Sequence, residues 1–581
     1  MDNITASKQS SGNLIKKNIL SIYPGAVLYG LLFNITLMID SIIAGWNLGP
    51  EGIAAVALGV PGYGVLAAII YSFIHGSGLR MIWAKGRADD QEFQRAFNGG
   101  STLIGFTGIA FAILIFVFSD NIILLCGGDM VDPSIRNSAV IYLCFCSPIV
   151  FLTALGMILQ EVMNVMGFQT ARAALSMINV VVNLIVSVLC VSILPTDMKL
   201  AGLGIGTSLG GLAEFIAGII LLRIMDVRLG YRPLILHPKE VLETVRCGFP
   251  AAVDYFAENI VMGIQNNLIL SGFPGDTMIL STGEVVCNIS YFASGTIKGA
   301  AIAAEPLFGV FYEERDVNSI KKVWKQGWLM GMVMSVVLAV LFCAAAPLLS
   351  ALCGMEPTSD IQRGVIMCMI FAPFMHTVYM FTLYYEATKH FNLSMAFAIV
   401  PDSCLYVLMM AFLIPILGRD GIWLSITGNQ VIGLILLIPL VLLINTRSGK
   451  NTDRMLLLPE KFYSGTTLLD LDIPGYRTGN IAEIEKISSL LRSRVSEPDK
   501  AEAVLRCVEA LISDMCESSG YIHIKVREEG TETAIFIRSI GQMRKLPESI
   551  YENVIKWGGS DSISYSYVYK MNIVCITIHD R

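Results

Sequence analysis

Asp40 closes the stretch FNITLMID, and Asp254 and Glu258 stand in GFPAAVDYFAEN, so all three are carboxylates inside long apolar runs. A charged side chain in such a place costs about 2.5–3.5 kcal/mol on insertion scales, and each needs a task. In a medium of low dielectric the chemistry open to a carboxylate is the binding and release of a proton or a small cation, because its charge is poorly solvated there. Asp254 lies one turn before Glu258, on the same helix face, and two like charges at that distance favour a proton or cation on one of them. Asn34, in the same stretch as Asp40, offers the simpler role of a hydrogen-bonding partner. A second set suits a cavity or a gate. His75 precedes Gly76-Ser77-Gly78 and titrates near neutral pH when exposed. Glu161 and Glu386 fall near helix ends, where solvation or a gate is expected. Lys298 and Glu305 are seven residues apart on one face and are expected to form an interior ion pair. No CxxC pair or Cys/His cluster with metal spacing accompanies these groups, and the 13 cysteines read as reduced, buried small hydrophobes. Neither a metal centre nor an organic cofactor is expected.

The elements that carry these residues are set by composition. Hydrophobic residues make up 54% of the 581 and charged residues 15%, against about 25% charged in soluble domains; mean hydropathy is +0.63. Most of the chain must face lipid. Twelve apolar segments are long enough for the ~20 residues that cross a bilayer: 17–46, 50–82, 93–120, 136–162, 169–194, 200–225, 241–271, 276–312, 320–352, 362–388, 392–416 and 421–445. With the N-terminus in the cytoplasm, eighteen Lys and Arg fall on the inside connections and four outside, a bias that orients such bundles. This places the protein in the cell membrane with both termini in the cytoplasm. The net charge of -6 gives no sign of nucleic acid.

Two halves of the bundle overlay. Pro24 and Pro250 differ by 226, as do Asp90 and Asp316, while Pro148 and Pro373 differ by 225, as do Glu161 and Glu386. One nearly constant offset implies two copies of a six-helix unit, parallel because six is even, with substrate expected between them. The expected organisation is an N-terminal tail over 1–14, a first lobe over 15–226, a loop over 227–240, a second lobe over 241–446, a linker over 447–467 and a soluble domain over 468–581.

The first two spans read PGAVLYGLLFNITLMIDSIIAGWNLGPEGIAAVALGVP and GSGLRMIWAKGRADD, and the eighth ends AAEPLFGVFYEERD. This joint pattern resembles the MATE (multidrug and toxic compound extrusion) family over roughly residues 15–446. The resemblance implies an all-α polytopic fold of twelve helices in two lobes forming a V, and export of small molecules, often organic cations, by alternating access in exchange for H⁺ or Na⁺. In many relatives the first-helix acid works with a fifth-helix N-x-x-x-D motif and a sixth-helix threonine. Here these correspond to Asp40, to NLIVS from Asn183 to Ser187, and to Thr207. Ser187 replaces the usual Asp, which weakens a two-carboxylate site in the first lobe. Glu258 matches the position where some relatives carry a cation-binding glutamate in the second lobe.

From Leu468 the tail reads LDLDIP, two helices IAEIEKISSLLRSR and AEAVLRCVEALISDM, and strands YIHIKVRE, TETAIFIRSIG and NIVCITIHD. This order resembles the GHKL ATPase domain of anti-sigma-factor-like kinases, an α/β sandwich. Glu509 stands where that family holds Mg²⁺-ATP, but Ser513 or Asp514 occupies the asparagine position, and Ser539-Ile540-Gly541 replaces the adenine-binding D-x-G. The lid glycines are reduced to Gly558-Gly559. The tail is therefore expected to be non-catalytic, and to regulate transport or bind a cytoplasmic protein partner. Two rival readings remain at this level: a lipid or lipid-linked glycan flippase of the same superfamily, and a membrane-anchored GHKL-type kinase or sensor.

Overall fold

In lipid only helix satisfies its own backbone over a single span, and every one of the twelve expected segments falls on helix in the computed structural model. The structure describes residues 13–128, 132–227, 229–230, 238–273, 277–352, 359–447, 455–474, 481–494, 498–516, 521–541, 543, 552, 554 and 563–579. By length and hydropathy eight of the described helices qualify as membrane spans, and a bent pair brings the number to nine.

Helix α1 (Asn13–Gly86) is one 74-residue run that takes in the first two expected segments. Straight, it would extend about 110 Å at 1.5 Å per residue. It turns back instead: Tyr142 donates to Asp40 at 2.8 Å, and its ring lies 2.6 Å from where a Cβ on Gly59 would stand. The rest of the first lobe is α2 (Asp90–Val117), the short α3 (Ser119–Ile123), α4 (Pro133–Cys146), α5 (Ile149–Met166), α6 (Gln169–Ile193) and α7 (Lys199–Ile224). The second lobe holds α8 (Pro238–Gly272), α9 (Thr277–Glu313), α10 (Val317–Leu352), α11 (Ser359–Met369), α12 (Ala372–Ala387), α13 (Phe391–Ile399), α14 (Tyr406–Leu417) and α15 (Arg419–Arg447). α2 and α10 each keep some large apolar side chains on the outside, Phe106 at 73% exposure and Val340 at 65%, as a lipid-facing surface requires.

Paired positions of the two halves share local backbone features. Pro148 interrupts the span at the start of α5, and Pro373 opens α12 after a 45° bend, since proline cannot donate the helical hydrogen bond. The turn after α1 has Ala88 at φ 54, with its N–H on Lys85 and the Asp89 N–H on Ala84. The turn after α9 repeats it at Arg315, φ 53, with its N–H on Tyr312 and the Asp316 N–H on Phe311. The capping acids are then Asp89 and Asp316, so Asp89 rather than Asp90 is the counterpart of Asp316. The two lobes meet at glycines: a Cβ on Gly30 would lie 2.1 Å from the Gly295 carbonyl, and one on Gly76 2.0 Å from that of Thr244.

The tail forms a five-stranded antiparallel sheet in the order β1-β2-β3-β5-β4, from β1 (Thr466–Pro474), β2 (Tyr521–Glu529), β3 (Glu532–Ile540), β4 (Ile563–Val568) and β5 (Met571–His579). Helices α16 (Ile481–Arg494) and α17 (Pro498–Cys516) cover one face, where Ile522, Ile524 and Val526 pack with Leu491, Val508 and Leu511. Period-two alternation in YIHIKVRE sends His523, Lys525 and Arg527 to the other face, and that face sits on the bundle. There the loop EERD between α9 and α10 answers the cations: Lys525 pairs with Asp316, and Arg538 of β3 with both Glu314 and Asp316. Burial alone would raise the Asp316 carboxyl, but Lys525 and Arg538 outweigh it and hold Asp316 well below the usual carboxylate range.

The β4–β5 hairpin reaches further. Its two turn residues, Tyr569 (φ 57) and Lys570 (φ 58), are both left-handed, the geometry of a two-residue hairpin turn. The Tyr569 N–H donates to Val165 (2.9 Å) and the Lys570 N–H to Met166 (3.0 Å) at the end of α5. Asn18 of α1 donates to the Tyr569 carbonyl at 2.9 Å, and the Tyr569 hydroxyl donates to the Ala303 carbonyl of α9. One turn thus ties both lobes together at the tail-side end. The expected linker is also fixed in part: Tyr384 and Tyr385 of α12 donate to the Leu456 and Met455 carbonyls, both at 2.7 Å.

Candidate functional site

The first-lobe site is assembled by four elements. Asp40 of α1 is buried, and it accepts from Tyr142 of α4 and from Thr207 of α7, each at 2.8 Å. Asn183 of α6 stands 3.5 Å from the Thr207 hydroxyl and accepts from Ser187, one turn on, at 2.9 Å. Asp40, Asn183 and Thr207 are therefore brought together, with Tyr142 as a further member. Among the described residues no Lys or Arg pairs with Asp40.

Ser187 does not leave the lobe with a single acid. Glu214 of α7, two turns from Thr207, is 2% exposed and takes hydrogen bonds from Gln160 and Asn179, both at 2.6 Å. A cavity of about 130 Å³ is lined by Thr207, Asn179, Gln160 and Glu214. The second carboxylate expected to be missing from α6 thus has a counterpart on α7. The signal that marks Asp40, a lone acid in mid-span, also marks Glu214; its amide partners lie on α5 and α6 and need the fold to be found.

Between the lobes lies a cavity of about 330 Å³. Glu161, Asp254, Glu305 and Glu386 from the sequence-based set line it, with His75 and Lys298. Asp402, on the distorted turn at Pro401 between α13 and α14, joins them and accepts from Gln430. Glu161 and Glu386 are not solvated helix-end groups: they are 6% and 4% exposed. Glu161 is held by Arg172 at 2.8 Å, and that guanidinium lies 3.7 Å over the Tyr29 ring. The expected Lys298–Glu305 ion pair is not made; the Lys298 ammonium lies 4.0 Å over the Tyr379 ring instead, a contact that satisfies the cation on another helix. His75 packs on Tyr71, which stacks on Tyr255 of α8. Asn34 lies on α1, Glu258 on α8 and Asp514 on α17, and their side chains are outside the described residues. Glu509 is half-buried on α17 and is not among the residues that line these cavities.

Residues 26–189 match the MatE family model, and no curated protein matches the chain. Among solved structures, a MATE in complex with MaD3S is similar with a TM-score of 0.67 and 15% identity, covering 76% of this chain and 98% of that one. The bundle has the MATE fold. A mutant of the Vibrio cholerae MATE transporter VcmN is similar at a TM-score of 0.65 and 12% identity, over 77% of this chain and 99% of that one. An outward-facing multidrug resistance MATE family transporter of the MOP superfamily gives 0.64 and 15%, over 76% and 98%. Each of these transporters is used almost in full while about a quarter of this chain is left over, so the chain carries more than the MATE bundle.

Proposed function

We propose that the chain is a secondary active exporter of organic cations, driven by entry of H⁺ or Na⁺ and working by alternating access, with a cytoplasmic tail that restrains the cycle. The observation that carries this reading is the lining of the cavity between the lobes. Five acids face it against Arg172 and Lys298, and Tyr29, Tyr71, Tyr255 and Tyr379 add aromatic faces, the combination that binds a bulky cation. Its volume falls within the range of drug-sized pockets.

Coupling is assigned to Asp40. Neutralising it weakens the charge-assisted bonds from Tyr142 and Thr207, which loosens α1 against α4 and α7. Tyr71, Met157 and Tyr255 line both cavities, so a change of packing around Asp40 reaches the cargo site. The hairpin at Tyr569 joins α1 and α5 to α9, and opening of the lobes at that end requires it to let go. The altered adenine-site residues of the tail support restraint by contact rather than ATP chemistry.

In proteoliposomes an imposed pH or Na⁺ gradient should drive an ethidium-type dye, Asp40→Asn should reduce that coupling at least tenfold, and deletion of 460–581 should raise the transport rate. No gradient-driven movement by the intact protein would overturn the reading, and an unchanged rate on deletion would overturn the role of the tail.

A further inference from the structure

The small residues of the first lobe leave room for polar side chains. A Cβ on Gly206 would lie 2.1 Å from Ser187 Oγ, one on Gly210 2.9 Å from Asn179 Oδ1, one on Gly211 2.4 Å from Thr153 Oγ1, and one on Gly156 2.8 Å from Glu214 Oε1. α5, α6 and α7 therefore interlock through oxygen and amide groups inside an otherwise apolar lobe. Glu214 is the charged member. Its two oxygens take N–H bonds from Gln160 and Asn179, and among the described residues it has no ion pair. Arg172 is engaged by Glu161, and the other titratable groups lining the cavity are the phenols of Tyr63, Tyr71 and Tyr255.

What the site lacks is a donor. Asn179 is 4% exposed and its Oδ1 has no hydrogen-bond partner, a costly state for a buried acceptor. A proton on Glu214 supplies that donor. Hydronium gives its proton to Oε2, the carboxylate becomes neutral, and a half-turn of the Asn179 amide presents Oδ1 to the new O–H. The cavity of about 130 Å³ has room for a few waters at roughly 30 Å³ each to carry that proton.

We propose that Glu214 is a second proton-binding carboxylate of the first lobe, with Asn179 as its amide switch, exchanging protons with Asp40 through the cavity that Thr207 and Glu214 both line. The inference rests on the cation-coupled reading above. Its test is Glu214→Gln in the full chain in proteoliposomes, measuring dye accumulation driven by a pH gradient beside gradient-free dye exchange, with pH-difference infrared spectra of the carboxyl region. The expected result is at least a tenfold loss of driven accumulation with exchange retained, and loss of one protonated-carboxyl band. If the intact protein shows no coupling, the transport reading fails first. If it is coupled and E214Q is coupled equally, or the band persists, Glu214 is not the site. If E214Q abolishes Na⁺-driven but not proton-driven accumulation, the ligand assignment is overturned. Should E214Q not fold, Glu214→Asp keeps the acid but withdraws it from both amides, and the pH midpoint of transport should shift; an unmoved midpoint overturns the proposal.

Discussion

Arg172 and Glu161 are each at most 8% exposed at the side chain, so neither charge is fully solvated without the other. Removing one partner of a buried pair leaves the other uncompensated, at about 3–5 kcal/mol. Glu161→Ala should therefore lower stability by that order, read as a reduced thermal midpoint in detergent; a change within experimental scatter would show that Tyr29 alone sustains the guanidinium. The sequence made the acids legible because each is conspicuous in an apolar run. It did not reveal their partners. Lys298 has an acid seven residues along its own helix, yet an aromatic ring on α12 satisfies it, and such choices are made between helices. For the same reason Glu214 carries a legible signal while Gln160 and Asn179 carry none.

At the scale of elements, the hairpin turn depends on Gly167. This residue ends α5 at φ +78, and a Cβ there would lie 2.5 Å from the Tyr569 backbone. Gly167→Ala incurs about 1–2 kcal/mol for the left-handed backbone, and the new methyl also has to displace the turn. Disulfide trapping between Met166→Cys and Lys570→Cys should proceed readily in the parent protein and fall sharply with G167A; equal yields would remove Gly167 from the docking. Strands β1, β2, β3 and β5 announce themselves through β-branched runs, and the helices through length and hydropathy. β4 is less obvious because four of the six residues in ISYSYV are serine or tyrosine: the strand serves the bundle surface, where Ser566 donates to the Lys85 carbonyl at 2.8 Å, and lacks an apolar signature. The single run of α1 was equally hidden, since two spans joined by a bend read as two helices.

For the molecule as a whole, the tail and the bundle meet through a titratable junction. Arg538 Nη1 can only donate, so the His523 Nδ1 at 3.2 Å accepts, and Nε2–H donates to Asp470 at 2.9 Å. The ring is neutral. Burial pushes its pKa below the ordinary value and Arg538 adds to that, against the opposing pull of Asp470 and Asp472; Asp316 lies beyond Arg538. A histidine with a lowered folded-state pKa contributes stability that is complete above its ordinary pKa of about 6.5 and is lost as pH falls toward the folded value. Asp316, also lowered, loses its share only in stronger acid. Tail docking, followed by the same disulfide trapping, should hold between pH 8 and 7 and weaken below about 6.5. His523→Gln keeps one acceptor and one donor without titrating, and should flatten that profile; a parent protein insensitive to pH over this range would exclude His523 as its cause.

The hydrogen bond from Asn18 to Tyr569 joins residues 551 positions apart, and β5 lies inside the sheet, between β3 and β4, although it follows both of them in the sequence. Contacts of such separation close late in folding. The lobes must therefore be inserted and paired before the turn can be seated, and the seated turn distinguishes a correctly assembled bundle from a misassembled one. Docking of the tail at the membrane surface thus depends on how the bundle itself has assembled.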